Sequence, residues 1–112
     1  MPTIFSKIIN REIPATIVYE DEHCLAFRDV RPQAPIHVLV IPKREIAALD
    51  ALTTSDAELL GHLWITIPKI ARQEGLSGGY RVVVNNGPDA GQTVDHIHFH
   101  ILGGRSLGWP PG

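Results

Sequence analysis

The stretch from Val94 to Gly104, Val-Asp-His-Ile-His-Phe-His-Ile-Leu-Gly-Gly, leaves few backbone conformations open. His96, His98 and His100 recur at every second position, with Ile97, Phe99 and Ile101 between them and after them. A period of two belongs to an extended strand whose side chains point alternately to opposite faces. One face of this strand therefore carries imidazoles and the other belongs to a core.

The rest of the chain supplies a sheet for that strand to join. With 112 residues, 44% of them hydrophobic, the sequence suits a single domain over residues 1–112, with 105–112 as a tail. Ser6 caps a short helix over residues 7–13 that Pro14 helps to end. Residues 16–19 and 23–27 are β-rich runs around an acidic turn and read as a hairpin, with Asp29 just beyond it. Pro32 and Pro35 fix the loop that follows. Residues 36–41 are apolar on both parities apart from His37, as in a central strand covered on two sides.

Ser55 and Glu58 form a capping box before Leu59, Leu60, Leu63, Trp64, Ile67, Ile70 and Ala71, which recur at helical spacing. Pro68 predicts a kink about a turn earlier, or an early end, in this long helix. Residues 80–85 read as a fourth strand, and a glycine-punctuated loop over 86–93 feeds the histidine strand. The expected fold class is α+β: a five-stranded, mainly antiparallel sheet with one long and one short helix, the long helix on one face and the histidines on the other.

Charge and cysteine usage narrow the function. A net charge of −2 gives no basic field for nucleic acid or an anionic membrane, and no apolar run approaches the ~18 residues of a spanning helix. The single cysteine, Cys24, excludes an intrachain disulfide and a multi-cysteine zinc site, and its apolar neighbours Leu25, Ala26 and Phe27 predict an inert, buried thiol. The start carries no leader-like segment, so the expected location is cytoplasmic.

Three chemistries remain for the histidine face. It can be a polar edge, for which threonine or lysine would serve equally well. It can hold zinc, two histidines at i and i+2 being joined by a third ligand from elsewhere, although Asp95, the only carboxylate in the strand, has the wrong parity. Or one imidazole is a nucleophile toward phosphorus while the others orient it and manage protons. The preceding loop supports the last, because exposed backbone N–H groups with Asn85, Gln92 and Thr93 can cradle phosphate oxygens.

The run from His96 to Leu102 resembles the His-φ-His-φ-His-φ-φ signature of the histidine triad superfamily, φ being hydrophobic. Residues 5–9 with Glu12-Ile13-Pro14, residues 34–43, Gly91 to Val94, and the terminal Trp109-Pro110-Pro111-Gly112 resemble its Hint branch. That tail separates Hint proteins from the diadenosine-polyphosphate hydrolases. The resemblance implies a purine nucleoside phosphoramidase that hydrolyses nucleotide P–N bonds, and some aminoacyl adenylates, with no metal and no other cofactor. A non-catalytic nucleotide-binding regulatory scaffold is the alternative.

Carried onto this chain, the resemblance makes His98 the nucleophile, supported by His96, His100, His37 and Thr93. Asp29 takes the place of the ribose-hydroxyl acceptor, and Phe5, Ile8, Ile13, Phe27, Val30 and Leu39 that of the purine pocket. Asn85, Gly91, Gln92, Thr93 and the backbone of Val94 would hold the phosphate. A homodimer is implied, meeting through the long helix and the fourth strand, with Trp109 near the partner's site. Thr93 stands where many Hint proteins have serine, which adds a methyl beside the leaving group and narrows the amines accepted. Arg28 and Pro68 depart from the family pattern. His23 and His62 match none of its functional positions and read as surface or boundary residues.

Overall fold

The computed structural model describes residues 2–112. Five antiparallel strands form one sheet: β1 (Ile17–Glu20), β2 (Cys24–Arg28), β3 (Ile36–Pro42), β4 (Tyr80–Val83) and β5 (Phe99–Gly103), in the order β1-β2-β3-β5-β4. The run that is apolar on both parities, β3, is the central strand. A short helix, α1 (Ile4–Ile9), and a long one, α2 (Ala57–Gln73), cover opposite faces.

Alternation along the strands builds two separate cores. Leu63, Ile67 and Ile70 of α2 pack on Ala26, Val38, Val40, Phe99 and Ile101. On the other face Phe5 and Ile8 of α1 pack on Leu25, Phe27, Leu39 and Ile41. Each fully buried side chain of this size contributes roughly 1.5–3 kcal/mol. His37 and His100 share the α1 face, diagonal to one another across β3 and β5, since Leu39 pairs with His100 and His37 with Leu102.

Several boundaries differ from those expected. The ladder of β5 begins only at Phe99. Ahead of it Ile97 N–H donates to the Ile46 carbonyl (2.7 Å) rather than to β3, although the alternation of faces persists through His96. β4 likewise stops at Val83, two residues short of Asn85. Ser6 is the third residue of α1, not its cap: Thr3 is the cap, and the two exchange backbone and hydroxyl bonds as a capping box.

The same helix ends well before Pro14. Arg11 turns left-handed (φ 62°), Arg11 N–H bonds back to Ile8 and Glu12 N–H to Lys7, the arrangement of a Schellman cap.

The capping box before α2 is Thr53 with Asp56, not Ser55 with Glu58, and a 3-10 turn, Thr54–Asp56, leads into the helix. Asp56 is selected because it is buried and paired with Arg44, whereas Glu58 is exposed. Pro68 does not end the helix, which runs five residues further to Gln73. The carbonyl that Pro68 leaves without its usual helical partner is that of Trp64, a residue that stands about half exposed. Among the described residues no helix is long and apolar enough to cross a membrane.

Candidate active site

A cleft of about 310 Å³ opens on the α1 face of the sheet. Phe5 and Ile8 from α1, Ile13, Phe27 from β2 and Leu39 from β3 form its apolar part. Asp29, Thr93, Val94, His98 and His100 bring polar groups to the same space. Val30 lies at the rim, 92% exposed, with the half-exposed Ile4. These residues come from five separate stretches of chain, and the alternation along the segment that leads into β5 puts both His98 and His100 on this face.

Hydrogen bonds fix which ring nitrogens carry protons. His98 Nδ1–H donates to the His96 carbonyl (2.7 Å), so its Nε2 keeps a lone pair. Phe5 packs edge-on to the His98 ring at 5.0 Å and limits its rotation. His96 Nε2–H donates to the Pro42 carbonyl (2.8 Å), leaving a buried Nδ1 without a partner.

His37 is held from both sides. The Gln33 backbone N–H donates to its Nδ1 (3.0 Å), so the proton of the neutral ring is on Nε2 and is shared with His100 Nδ1 at 2.9 Å. His100 must then carry its own proton on Nε2, which is buried and has no partner. Asp29 Oδ2 lies 3.5 Å from His37 Nε2, and Asp29 Oδ1 accepts the Arg31 N–H at 2.8 Å.

Burial favours the neutral form of His96, His37 and His100. It pushes His96 and His37 below the ordinary imidazole value, against the opposing charges of Glu45 and Asp29 respectively. His100 falls to about 4, through burial first and then the proximity of His98 and His37. A neutral imidazole whose bonded nitrogen is a donor offers the other as a nucleophile or acceptor, so this arrangement can attack an electrophile or accept its proton.

Not every expected residue reaches the cleft. His37 and His96 lie behind it, acting on it through His100 and alongside Phe5. Asn85, Gly91 and Gln92 do not line it. The Gln92 amide is engaged within its own loop: Nε2 donates to the carbonyls of Ala47 and Val94, and Oε1 accepts the Gly87 N–H. In this structure the Gln92 side chain thus braces the loop.

Arg28 turns its guanidinium to Glu74 at the end of α2, at 2.6 Å. Trp109 stands 82% exposed on the tail, with the Arg81 guanidinium 5.9 Å from its ring centroid. Sequence reasoning missed Ile4, Pro14, Ala15 and Arg28 on the lining. Ile4 was recoverable, being one helical turn from Ile8.

Among the described residues two groups have ligand-type atoms within 4.8 Å of one another: Asp29 with His37 and His100, and Asp21 with Cys24 and His62. Neither fits a metal as it stands. His37 Nε2 and His100 Nδ1 are 2.9 Å apart and share a proton, whereas two nitrogens on one tetrahedral zinc stand about 3.3 Å apart. In the second group the Cys24 thiol is pushed up to about 12, by burial first and then the charge of Asp21, and so opposes the thiolate a metal needs.

An α+β sheet presenting neutral imidazoles to a half-apolar cleft defines a class of small proteins built around a histidine strand. The HIT domain model matches residues 10–107, and the chain belongs to that family. It is similar, at 52% identity and a TM-score of 0.97 over 99% of this chain and 100% of the other, to a HIT family hydrolase from Legionella pneumophila. A histidine triad nucleotide-binding protein from Candida albicans matches at 34% identity and a TM-score of 0.83, over 97% of this chain and 83% of its own. A Zea mays protein described as a 14 kDa zinc-binding protein is 55% identical over 99% of this chain and 88% of its own. The fold is thus that of HIT family hydrolases and nucleotide-binding proteins.

Proposed function

We propose that the protein is a purine nucleotide-binding hydrolase that cleaves nucleoside 5′-phosphoramidates, and some aminoacyl adenylates, through a nucleotidyl-His98 intermediate. The observation that carries this reading is the His98 Nδ1–H bond to the His96 carbonyl, which leaves the opposite nitrogen as a lone pair in a cleft that also holds a carboxylate and an apolar slot. In the first step His98 Nε2 attacks the α-phosphorus, the P–N bond breaks, and the departing nitrogen takes up a proton from water and leaves as the amine. In the second, water breaks the phosphorus–histidine bond, releasing the nucleoside monophosphate and the free imidazole.

Asp29 accepts from the ribose hydroxyls, Val94 and Thr93 bound the phosphate, and the apolar residues hold the purine. The protein acts as a homodimer about a twofold axis. Support for this comes from β4, an edge strand, and from α2, where Ile65 is 67% exposed and Trp64 about half exposed. Trp109 then has the partner's site within reach to pack on.

Intact-mass measurement tests the reading. After mixing with adenosine 5′-phosphoramidate and quenching in mild alkali, an adduct of one adenylyl group is expected, located on His98. Nucleotide binding with neither adduct nor turnover would instead make the protein a scaffold that retains the pocket.

A further inference from the structure

The chain of protons behind the cleft does not start in the histidine strand. It starts in the loop between β2 and β3. The peptide of Gln33 is held at both ends: its N–H donates to His37 Nδ1 (3.0 Å), and its carbonyl accepts from Arg105 Nη2 (3.0 Å). Arg105 lies just after β5, where Gly104 adopts φ 90° and passes so close to Pro35 that a Cβ there would stand 2.9 Å from the proline Cβ. Gly104 is thus required for the tail to lie on the loop.

From Gln33 each bond dictates the next. A donor at His37 Nδ1 leaves Nε2 as the only place for the ring's proton, His100 Nδ1 receives it, and His100 Nε2 must be an N–H. Asp29, 3.5 Å from His37 Nε2, favours the same form through its charge but is beyond direct bonding distance in this pair. We infer that Gln33, through its backbone amide, and Arg105, which anchors that peptide, are positioning residues that make His100 present a hydrogen-bond donor rather than a lone pair to the cleft. In the proposed reaction, on which this role rests, that donor faces a phosphate oxygen, while His98 beside it keeps the lone pair. Without it, two lone pairs would face an anion.

The test reads the tautomers directly and needs no turnover. In 15N-histidine protein without ligand at neutral pH, both His37 and His100 should show protonated Nε2 and unprotonated Nδ1. An Nδ1–H form of His100 in the parent protein would overturn the inference at once. Replacing Gln33 by an α-hydroxy acid turns the N–H into an ester oxygen, and Gln33→Pro removes the same N–H by another route. In either variant the Nδ1–H form of both rings should appear as a major species.

With adenosine 5′-phosphoramidate, kcat should fall about tenfold in the ester variant at nearly constant KM. Arg105→Ala should give a smaller loss that Arg105→Lys partly restores. Unchanged ring spectra in the ester variant would refute the assignment even if activity dropped. Altered spectra in a protein that turns over no phosphoramidate would leave the assignment standing and remove the proposed reaction instead.

Discussion

Two histidine clusters lie on this chain, and only one of them looks like a site. At the β1–β2 turn His62 Nε2–H donates to Asp21 Oδ2 at 2.7 Å, and the His23 ring packs edge-on to His62 at 5.2 Å. The other bonds of Asp21 are equally complete: Tyr19 hydroxyl on Oδ2, and the N–H groups of His23 and Cys24 on Oδ1. In the cleft, by contrast, His96 Nδ1 and His100 Nε2 are buried without partners, and His98 Nε2 is left free by the bond its other nitrogen makes. Histidines beside a carboxylate occur in both places. What separates them is bonding capacity left over at a cavity or just behind it, since a buried polar atom without a partner costs about 1–3 kcal/mol and persists only where something else is gained.

The sharpest way to break this contrast is to remove the free lone pair. His98→Ala should abolish the adenylyl adduct and lower turnover by at least about a thousandfold, while nucleotide affinity changes little because the apolar slot and Asp29 remain. Isothermal titration alongside steady-state kinetics reads both quantities. Full turnover by the variant would place the nucleophile elsewhere.

Asp29 carries the next largest effect, because it is partly engaged, by Arg31 N–H, and partly available. A 2′-deoxy nucleotide should bind about ten- to a hundredfold more weakly than its ribose counterpart, a loss of roughly 1.5–3 kcal/mol for one charge-assisted bond. Asp29→Asn should shrink that gap, and the two changes must be non-additive. Additive losses across the four dissociation constants would make Asp29 a turn residue only.

At the complete cluster the effect should be on stability alone. Asp21→Ala strands several donors and should cost about 1–3 kcal/mol in denaturant unfolding without altering kcat. Backbone and side-chain donors hold the Asp21 carboxyl well below the usual carboxylate range in spite of its burial. Its contribution is therefore fully present above the unfolded value near 4 and is lost as pH falls below it.

The buried imidazoles act over a different window. The folded values of His37, His96 and His100 lie below 6.5, so their contribution is full above that pH and declines as pH drops toward about 4, where His100 titrates. Unfolding measured from pH 7 to about 2 should show two descents, the lower one reduced in Asp21→Ala but not abolished, because Lys43 and Arg11 also hold Glu20 below the usual carboxylate value. A single descent common to both proteins would remove the distinction between the clusters.

Much of this was legible in the chain because the alternation around His98 fixes faces whatever the ladder does. The exact start of β5 was not, since the bonds that replace the ladder come from distant partners: the Ile46 carbonyl for Ile97 and the Pro42 carbonyl for the His96 ring. The caps show the same limit. Thr53-x-x-Asp56 and Ser55-x-x-Glu58 are equally good boxes in sequence, and the choice depends on Arg44 reaching Asp56. Gln92 has a composition suited to phosphate and a position that commits its amide to Ala47 and Gly87. The tautomer chain was invisible, because its first member is a backbone amide.

The apolar end of the cleft has a consequence for selectivity. Its side chains, from Ile4 and Phe5 to Leu39, offer no donor or acceptor, and the one nearby guanidinium, on Arg28, faces Glu74. A flat ring entering there gains by displacing water from surfaces such as Val30, and that gain is indifferent to which exocyclic groups the ring carries. If a nucleotide fills the cleft as proposed, its directional contacts are confined to the sugar and phosphate end, and the apolar side chains leave the letter of the base largely unread.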